Sequence, residues 1–268
     1  MSQTSPGIHP SAKIHESAIV DSSAIIGANV EIGPWTLVGP EVEIGEGSVL
    51  HSHVVVKGPT TLGRNNEIFQ FASIGEDCQD KKYSGEPTRL VVGDNNVFRE
   101  SCTIHRGTVQ DESLTLIGSD NLFMAYTHVG HDCVIGNGCI LANYAGIAGH
   151  VHIGDGAILS AMSGVHQFCR VGSYSMCAAG AIVLKDVPAF VMVSGHPAKA
   201  NGMNFEGMKR RGYSKPLMQS LRKAYKKTYR EGLTLDVALG ELQAIESPEP
   251  ELQLFIDSLK TSTRGIVR

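Results

Sequence analysis

Aliphatic side chains recur every six residues along most of this chain. The series runs Ile8, Ile14, Val20, Ile26, Ile32, Val38, Ile44, Leu50, Val56, Leu62, Ile68 and Ile74 without a miss. It resumes at Val92, Phe98 and Ile104, and again at Ile117, Phe123, Val129, Ile135, Leu141, Ile147, Ile153, Leu159, Val165, Val171, Cys177 and Val183. An amphipathic helix would repeat near 3.6 and a lone strand at 2, so a period of six marks a repeat architecture. Four residues after each aliphatic position comes a small or β-branched residue, as at Ala12, Ala18, Ala24, Val30, Thr36, Ser48, Ala72, Ala145, Ala157 and Ser163. Glycine often follows the aliphatic residue directly, at Gly27, Gly33, Gly39, Gly45, Gly63, Gly136 and Gly154. There it is expected to permit the backbone geometry of a tight corner. Each hexad reads as a short strand with two inward side chains, then a turn. Three strands per coil give an 18-residue turn of a parallel β-helix, and the 27 hexads make about nine coils, roughly 40 Å tall at ~4.8 Å per stacked strand.

Two interruptions, near 75–91 and 105–116, break the register with polar residues. Insertions in a repeat map to loops on one face, often the functional one. The first contains Asp80, Lys81, Lys82 and Tyr83; the second begins His105-Arg106-Gly107. Beyond residue 199 the period changes: Leu217, Leu221, Ala224, Tyr225 and Tyr229 follow helical spacing, with Ser214 as N-cap and Gly232 as stop. Further helices are expected from about Thr234 and after Pro248. The chain thus divides into a β-helix over 1–199 and a helical domain over 200–268.

Composition narrows the setting. The net charge of -4 makes nucleic acid an unpromising partner for the chain as a whole. The N-terminus, MSQTSPGIHP, lacks a basic segment followed by an apolar run, and no stretch is apolar for the ~18 residues a membrane span needs. Cytoplasmic residence is the expectation. None of the six cysteines forms a C-x-x-C pair; Cys78, Cys102, Cys133, Cys139 and Cys169 fall in the small-residue column and Cys177 in the aliphatic one, so all six read as reduced core filler.

The register also gathers candidate chemistry. His131 lies two positions after Val129, at a corner; Gly149 is 18 residues further on and Gln167 another 18, so the three stack on successive coils. His128 faces outward from a strand, His150 adjoins Gly149, and His166 adjoins Gln167. Three readings fit this cluster. It is an array of satisfied surface or interface histidines, or a zinc site, or a metal-free acyl-transfer site with histidine as general base. The zinc reading is weakened because His128 and His131 occupy different faces of one hexad and lack a third ligand at a matching spacing. An imidazole is the right group to take a hydroxyl proton near pH 7.

The stretches IGEDCQDKKYSGEPTR, TIHRGTVQ, THVGHDC, AGHVHIG, VHQFCRVG, NFEGMKRRG and STRGIVR resemble the UDP-N-acetylglucosamine O-acyltransferases, from the first hexad to Arg268. The resemblance implies a left-handed parallel β-helix and the first step of lipid A biosynthesis: transfer of an (R)-3-hydroxyacyl chain from acyl carrier protein to the 3-hydroxyl of UDP-N-acetylglucosamine. No metal or other cofactor is implied. His131 corresponds to the family's general base, with Asp132 orienting it, and the backbone N–H of Gly149 to the oxyanion donor. Such a donor contributes roughly 3–4 kcal/mol to a transition state. His128, His150, His166 and Gln167 carry over as substrate contacts. Asp80 and Lys82 match positions that bind the acyl hydroxyl and the nucleotide sugar; Asn204, Glu206, Arg210 and Arg211 match contacts to the nucleotide end. Glycine in longer-chain members aligns with Ala179, whose methyl is expected to shorten the acyl groove.

Residues 204–231 hold nine Lys or Arg against two Glu, a local charge of +7 on an acidic protein. Lys215, Arg222, Lys223, Lys226 and Lys227 are therefore candidates for docking the acidic carrier protein, with a merely solvated basic face as the alternative. A homotrimer with sites between subunits is expected. An N-acyltransferase of the same pathway, a family member acting on a 3-amino sugar, and a non-catalytic hexapeptide scaffold remain as alternatives.

Overall fold

A computed structural model describes residues 7–268; residues 1–6, which carry most of the stretch read above as lacking a leader, lie outside the described residues. Nearly every hexad forms a two-residue strand whose second residue is the aliphatic one, turned into the core. Away from the insertions and the last coil, strands pair in parallel with the strand 18 residues away: Lys13 with Glu31, Glu31 with Val49, and Val49 with Glu67. The strands collect into sheets of eleven, nine and eight strands among the described residues, three faces of a prism. The coil is left-handed, against the usual crossover preference. Ile26, Leu50, Leu62, Ile104, Leu141 and Leu159 fill its axis, together with Phe98 stacked on Phe123 at 4.7 Å.

The corners differ from the sequence-based expectation in an instructive way. The left-handed backbone conformation falls three residues after the aliphatic position, at Asn29, Trp35, Glu41, Asn65, Phe71, Tyr126, Asp132, Tyr144, His150 and Phe168, all with φ between +53° and +65°. Gly75, which follows Ile74 where the first insertion leaves the prism, is the exception among the glycines after the aliphatic residue, at φ +78°; Gly27, Gly33, Gly39, Gly45, Gly63, Gly136 and Gly154 do not have positive φ. They are small for another reason: a Cβ on Gly27 would lie 2.8 Å from the Glu46 nitrogen, and one on Gly33 2.8 Å from the His51 carbonyl carbon. Glycine there lets adjacent coils approach, and Asn, Asp or a stacked aromatic tolerates the strained corner.

The small-residue column holds more than small residues. Asn66, Asn96 and Asn121 occupy it and form a buried ladder, in which each side-chain oxygen accepts the backbone N–H of the next rung: Asn96 N to Asn66 Oδ1 (2.9 Å), Asn121 N to Asn96 Oδ1 (3.0 Å) and Cys139 N to Asn121 Oδ1 (2.7 Å). All six cysteines are buried and free. Burial pushes the Cys133 and Cys177 thiols up to about 12, which keeps them inert.

The two interruptions enlarge single coils. Glu67 pairs with Val97 and Thr103 with His128, separations of 30 and 25 residues in place of 18. The excess of 12 and seven residues lies within the segments 77–88 and 106–113, which leave the prism side by side. At the upper end, Lys199–Met203 pairs antiparallel with Val191–Ser194. Four helices follow: α1 Phe205–Arg210, α2 Lys215–Tyr229, α3 Leu235–Gln243 and α4 Pro250–Lys260. Ser214 and Thr234 cap α2 and α3 by accepting from Leu217 N and Val237 N. Leu221, Ala224 and Tyr225 of α2 and Phe255, Ile256 and Leu259 of α4 join the same hydrophobic core as the last coils. None of the described helices is long and apolar enough to cross a membrane.

Candidate active site

The corner joining the nine- and eight-stranded sheets carries the titratable groups. The 18-residue register stacks Asp132, His150 and Phe168, all at left-handed φ, and beside them His131, Gly149 and Gln167. His150 N donates to His131 O at 2.9 Å, and Phe168 N to Gly149 O at 3.2 Å. The His131 ring lies against Gly149: a Cβ there would be 2.5 Å from both Cε1 and Nε2. Among the described residues the Gly149 N–H has no hydrogen-bond acceptor, so it is free to meet a ligand.

His131 Nδ1 donates to Asp132 Oδ2 at 2.8 Å, which leaves Nε2 as the nitrogen available to a substrate. Asp132 is itself held. Its Oδ1 accepts from Thr108 N (2.8 Å), its Oδ2 from Thr108 Oγ1 (2.6 Å), and its own N–H donates to Thr115 Oγ1 (2.9 Å). Burial pushes the Asp132 carboxyl upward, but the hydrogen bonds from His131 and Thr108 outweigh it and hold the group below the usual carboxylate range. Asp132 is therefore an anion at neutral pH, suited to orient and support an imidazolium.

The two inserted segments wall this corner. Arg106, 5% exposed, reaches from the second into the first, where it bonds Gly75 O, Asp77 and the Tyr83 hydroxyl. That clamp sets the turn carrying Asp80 and Lys82, which Asp80 closes by accepting from Lys82 N at 3.0 Å. Asp80, Lys82, His131, His150 and Gln167 line one cavity of 430 Å³ with Gln110, Asp111 and Phe168. An adjoining cavity of 600 Å³ shares Asp111, His150 and Phe168 and runs over the eight-stranded sheet past His152 and Arg170 to Thr263. His128 sits on the neighbouring strand, where Nδ1 shares a hydrogen bond with Thr103 Oγ1 at 2.8 Å. Burial, and then the charge of His131, lower its pKa. Behind it His105, 5% exposed, is lowered by burial to about 4. Both are neutral near pH 7.

Other expected site residues lie elsewhere. His166 is exposed one position before Gln167, its Nδ1 donating to the Gln167 carbonyl. Asn204 is buried and caps α1, accepting from Gly207 N at 3.0 Å and donating to Tyr174 O at 3.1 Å. Glu206 pairs with Arg210 along the helix, and Arg211 lies over the Tyr174 ring at 4.7 Å. Tyr174 belongs to the corner across the eight-stranded sheet, and none of these four residues lines the His131 cavity. Ala179 is exposed at the third corner, just before Gly180 (φ +69°). Of the basic residues on α2, Lys215, Arg222, Lys223 and Lys226 are exposed, while Lys227 is paired with Glu231 and Glu241.

Three contacts escaped the sequence reading. Thr108 and Asp111 fold back onto the histidine corner from the second insertion, and Arg106 joins the insertions. Spacing also gave no third partner for a metal, yet His131, Asp132 and His150 bring one donor atom each within 4.8 Å of one another. Two imidazoles and a carboxylate are a zinc-type set. Here both Asp132 oxygens already accept from Thr108 and His131, which favours a hydrogen-bonding role for that carboxylate.

Comparison with known proteins agrees along the whole chain. Residues 186–267 match the family model described as UDP-N-acetylglucosamine O-acyltransferase, domain 2, and residues 23–58 and 115–149 match the bacterial transferase hexapeptide repeat. The acyl-(acyl-carrier-protein)–UDP-N-acetylglucosamine O-acyltransferase of Stutzerimonas stutzeri is 58% identical over 212 residues, 79% of this chain and 82% of that protein. The solved UDP-N-acetylglucosamine O-acyltransferase of Moraxella catarrhalis is 51% identical, with a TM-score of 0.87 over 98% of this chain and 100% of that one. The solved Arabidopsis UDP-N-acetylglucosamine acyltransferase, 35% identical, superposes with a TM-score of 0.80 over 97% and 100%.

Proposed function

The chain belongs to the UDP-N-acetylglucosamine O-acyltransferase family, and we propose on that premise that it transfers an (R)-3-hydroxyacyl chain from acyl carrier protein to the 3-hydroxyl of UDP-N-acetylglucosamine, the first step of lipid A biosynthesis. Nε2 of His131 takes the proton of the sugar hydroxyl as its oxygen attacks the thioester carbonyl. The Gly149 N–H donates to the oxyanion of the tetrahedral intermediate. On collapse, the imidazolium returns the proton to the departing thiolate, and the ester remains on the sugar. Asp132 supports the imidazolium while it exists. The observation that carries this reading is the stack itself: an Asp-oriented imidazole with its free nitrogen directly beside a backbone N–H that has no acceptor among the described residues.

Asp80, Lys82, His128, His150, His166 and Gln167 contact the sugar and the acyl hydroxyl in this reading. Beyond the nine-stranded sheet lies Ala179, and between the two corners that sheet presents Gly146 and Gly164 outward. A Cβ on Gly146 would meet nothing within 4 Å, which leaves room for an acyl chain there, whereas one on Gly164 would lie 3.1 Å from Ile182 Cδ1, which narrows the track toward Ala179. Asn204, Glu206, Arg210 and Arg211 take the nucleotide end from another copy of the chain, as their distance from the His131 cavity suggests. The active assembly is then a homotrimer in the cytoplasm. The basic face of α2 receives acyl carrier protein through Lys215, Arg222, Lys223 and Lys226, with Lys227 committed to its own acidic neighbours.

The test is acyl transfer from (R)-3-hydroxyacyl-acyl carrier protein to UDP-N-acetylglucosamine by wild type and His131→Ala, with and without chelator. Transfer lost in the variant and indifferent to chelator is expected. Full turnover by His131→Ala would overturn the mechanism, and chelator sensitivity would restore the zinc reading. Failure of a folded trimer to use this sugar would shift the acceptor to its 3-amino analogue.

A further inference from the structure

His150 is held on three sides. Its backbone N–H is bound by His131 O at 2.9 Å, its face stacks on Phe168 at 4.4 Å, and the His131 ring meets it edge-on at 4.9 Å. None of these contacts distinguishes one ring nitrogen from the other, so a half-turn of the ring would satisfy them all. One contact does distinguish them: Asp111 Oδ2 accepts from Nδ1 at 2.7 Å. Among the described residues no other group is within hydrogen-bond distance of a His150 ring nitrogen, since Nε2 stands 3.9 Å from Asp132 Oδ2.

We infer that Asp111 is a positioning residue of this site: its carboxylate fixes the ring orientation and the Nδ1-protonated tautomer of His150, leaving Nε2 to accept a hydrogen bond from the substrate. The role of His150 toward substrate rests on the function proposed above. Carboxylate–imidazole pairing of this kind sets which nitrogen faces a ligand, and its loss weakens ligand binding through the imidazole it holds. The titratable groups around the ring are His131 and Asp132 on the corner below and His152 next along the chain. The loop that supplies Asp111 is itself anchored, through Asp111 N and Ser113 N donating to Thr108 O at 3.2 and 3.1 Å. One insertion therefore serves both imidazoles: Thr108 holds the carboxylate of His131, and Asp111 holds His150 directly. The pair also stands in the wall between the two cavities.

The test has two arms on the full-length protein. Nitrogen NMR of selectively labelled histidine, with the His150 signal identified by its loss in His150→Ala, is expected to show a protonated Nδ1 in wild type. That signature should disappear in Asp111→Ala and persist in Asp111→Asn, whose amide oxygen can still accept. In the kinetic arm, Asp111→Ala should raise KM for UDP-N-acetylglucosamine about tenfold with a much smaller change in kcat, and Asp111→Asn should recover most of the loss. In a His150→Ala background the same Asp111→Ala change should have little further effect. A wild-type ring protonated on Nε2, or an undiminished Asp111→Ala effect without His150, would overturn the inference. The NMR arm needs no turnover, so it decides the role of Asp111 even if the assigned acceptor sugar proves wrong.

Discussion

Gly149 and the His131 ring occupy the same corner so closely that one methyl group cannot be added between them: it would lie 2.5 Å from Nε2. Gly149 has no positive φ, so alanine suits its backbone, and the cost of Gly149→Ala falls on the imidazole, which must move. We expect kcat/KM to fall by about a hundredfold or more, because a displacement near 1 Å is enough to spoil a reacting geometry. The unfolding midpoint should change little. Unaltered turnover would show that the ring does not act from beneath this N–H.

Asp132 is held by two hydrogen bonds from Thr108, and they differ in what a substitution can remove. Thr108→Val deletes the hydroxyl bond and keeps the backbone one. A loss in kcat of about three- to tenfold is expected, with KM nearly unchanged. Asp132→Asn replaces an anion that supports the imidazolium with a neutral amide, and should cost on the order of a hundredfold or more in kcat. Steady-state rates on both variants, with folding checked by circular dichroism, measure the difference.

His105 makes stability depend on pH. Its folded pKa is lowered from 6.5 to about 4, first by burial and then by His128, so the unfolded chain binds a proton that the folded chain resists. Acidification from about pH 6.5 toward 4 therefore removes up to roughly 3 kcal/mol, and above pH 6.5 the residue contributes no pH dependence. His105→Gln should flatten this part of the curve. Denaturant midpoints at pH 7.5, 6 and 5 for the two proteins are the check; parallel curves would show that the ring titrates normally.

Ala179 bears on chain length. If the acyl chain runs over Gly146 and Gly164 toward this corner, Ala179→Gly should shift preference to a chain about two methylenes longer, by roughly fifteenfold in relative kcat/KM. Competition between carrier-linked C10, C12 and C14 substrates reads the shift directly. No change would place the end of the chain elsewhere.

Asp186, 2% exposed, gathers the chain terminus. It accepts from Arg170 N, Ser262 Oγ, Thr263 N and Arg264 N. Asp186→Ala leaves these donors without their acceptor and should lower stability by about 2–4 kcal/mol, with Asp186→Asn intermediate. Limited proteolysis should then cut within residues 261–268 of the variant and spare them in wild type.

The sequence carries the solenoid openly, because period six leaves no other arrangement that buries every aliphatic side chain. It also places His131 under Gly149, since stacking by 18 is arithmetic once a coil is known. Legibility ends where the register does. Nothing in the spacing says that a seven-residue excess will turn Thr108 and Asp111 back onto the histidine corner. Thr108 did leave a trace, standing four residues after Ile104 in the column of inward small side chains. The spacing shows the glycines after the aliphatic positions but points to φ as their reason; at Gly27 and Gly33 coil-to-coil contact requires them, which only the stacked backbone reveals. The asparagine ladder hid in the same column, because an amide looks wrong for a core until the next rung supplies its partners.

The antiparallel strand Lys199–Met203 ends the eleven-stranded sheet, and Ile266 bridges Asp186 beyond the last strand of the eight-stranded one. A stack of parallel strands left open at its rim is a template on which a second molecule can continue the same hydrogen bonding, and a solenoid so extended would be a fibre. Here two of the three faces of that rim are closed, one by a strand running the wrong way and one by the returning tail. Shortening the chain before Ser262 would therefore cost more than local order: it would expose a growing end, and the protein should begin to associate in proportion to its concentration.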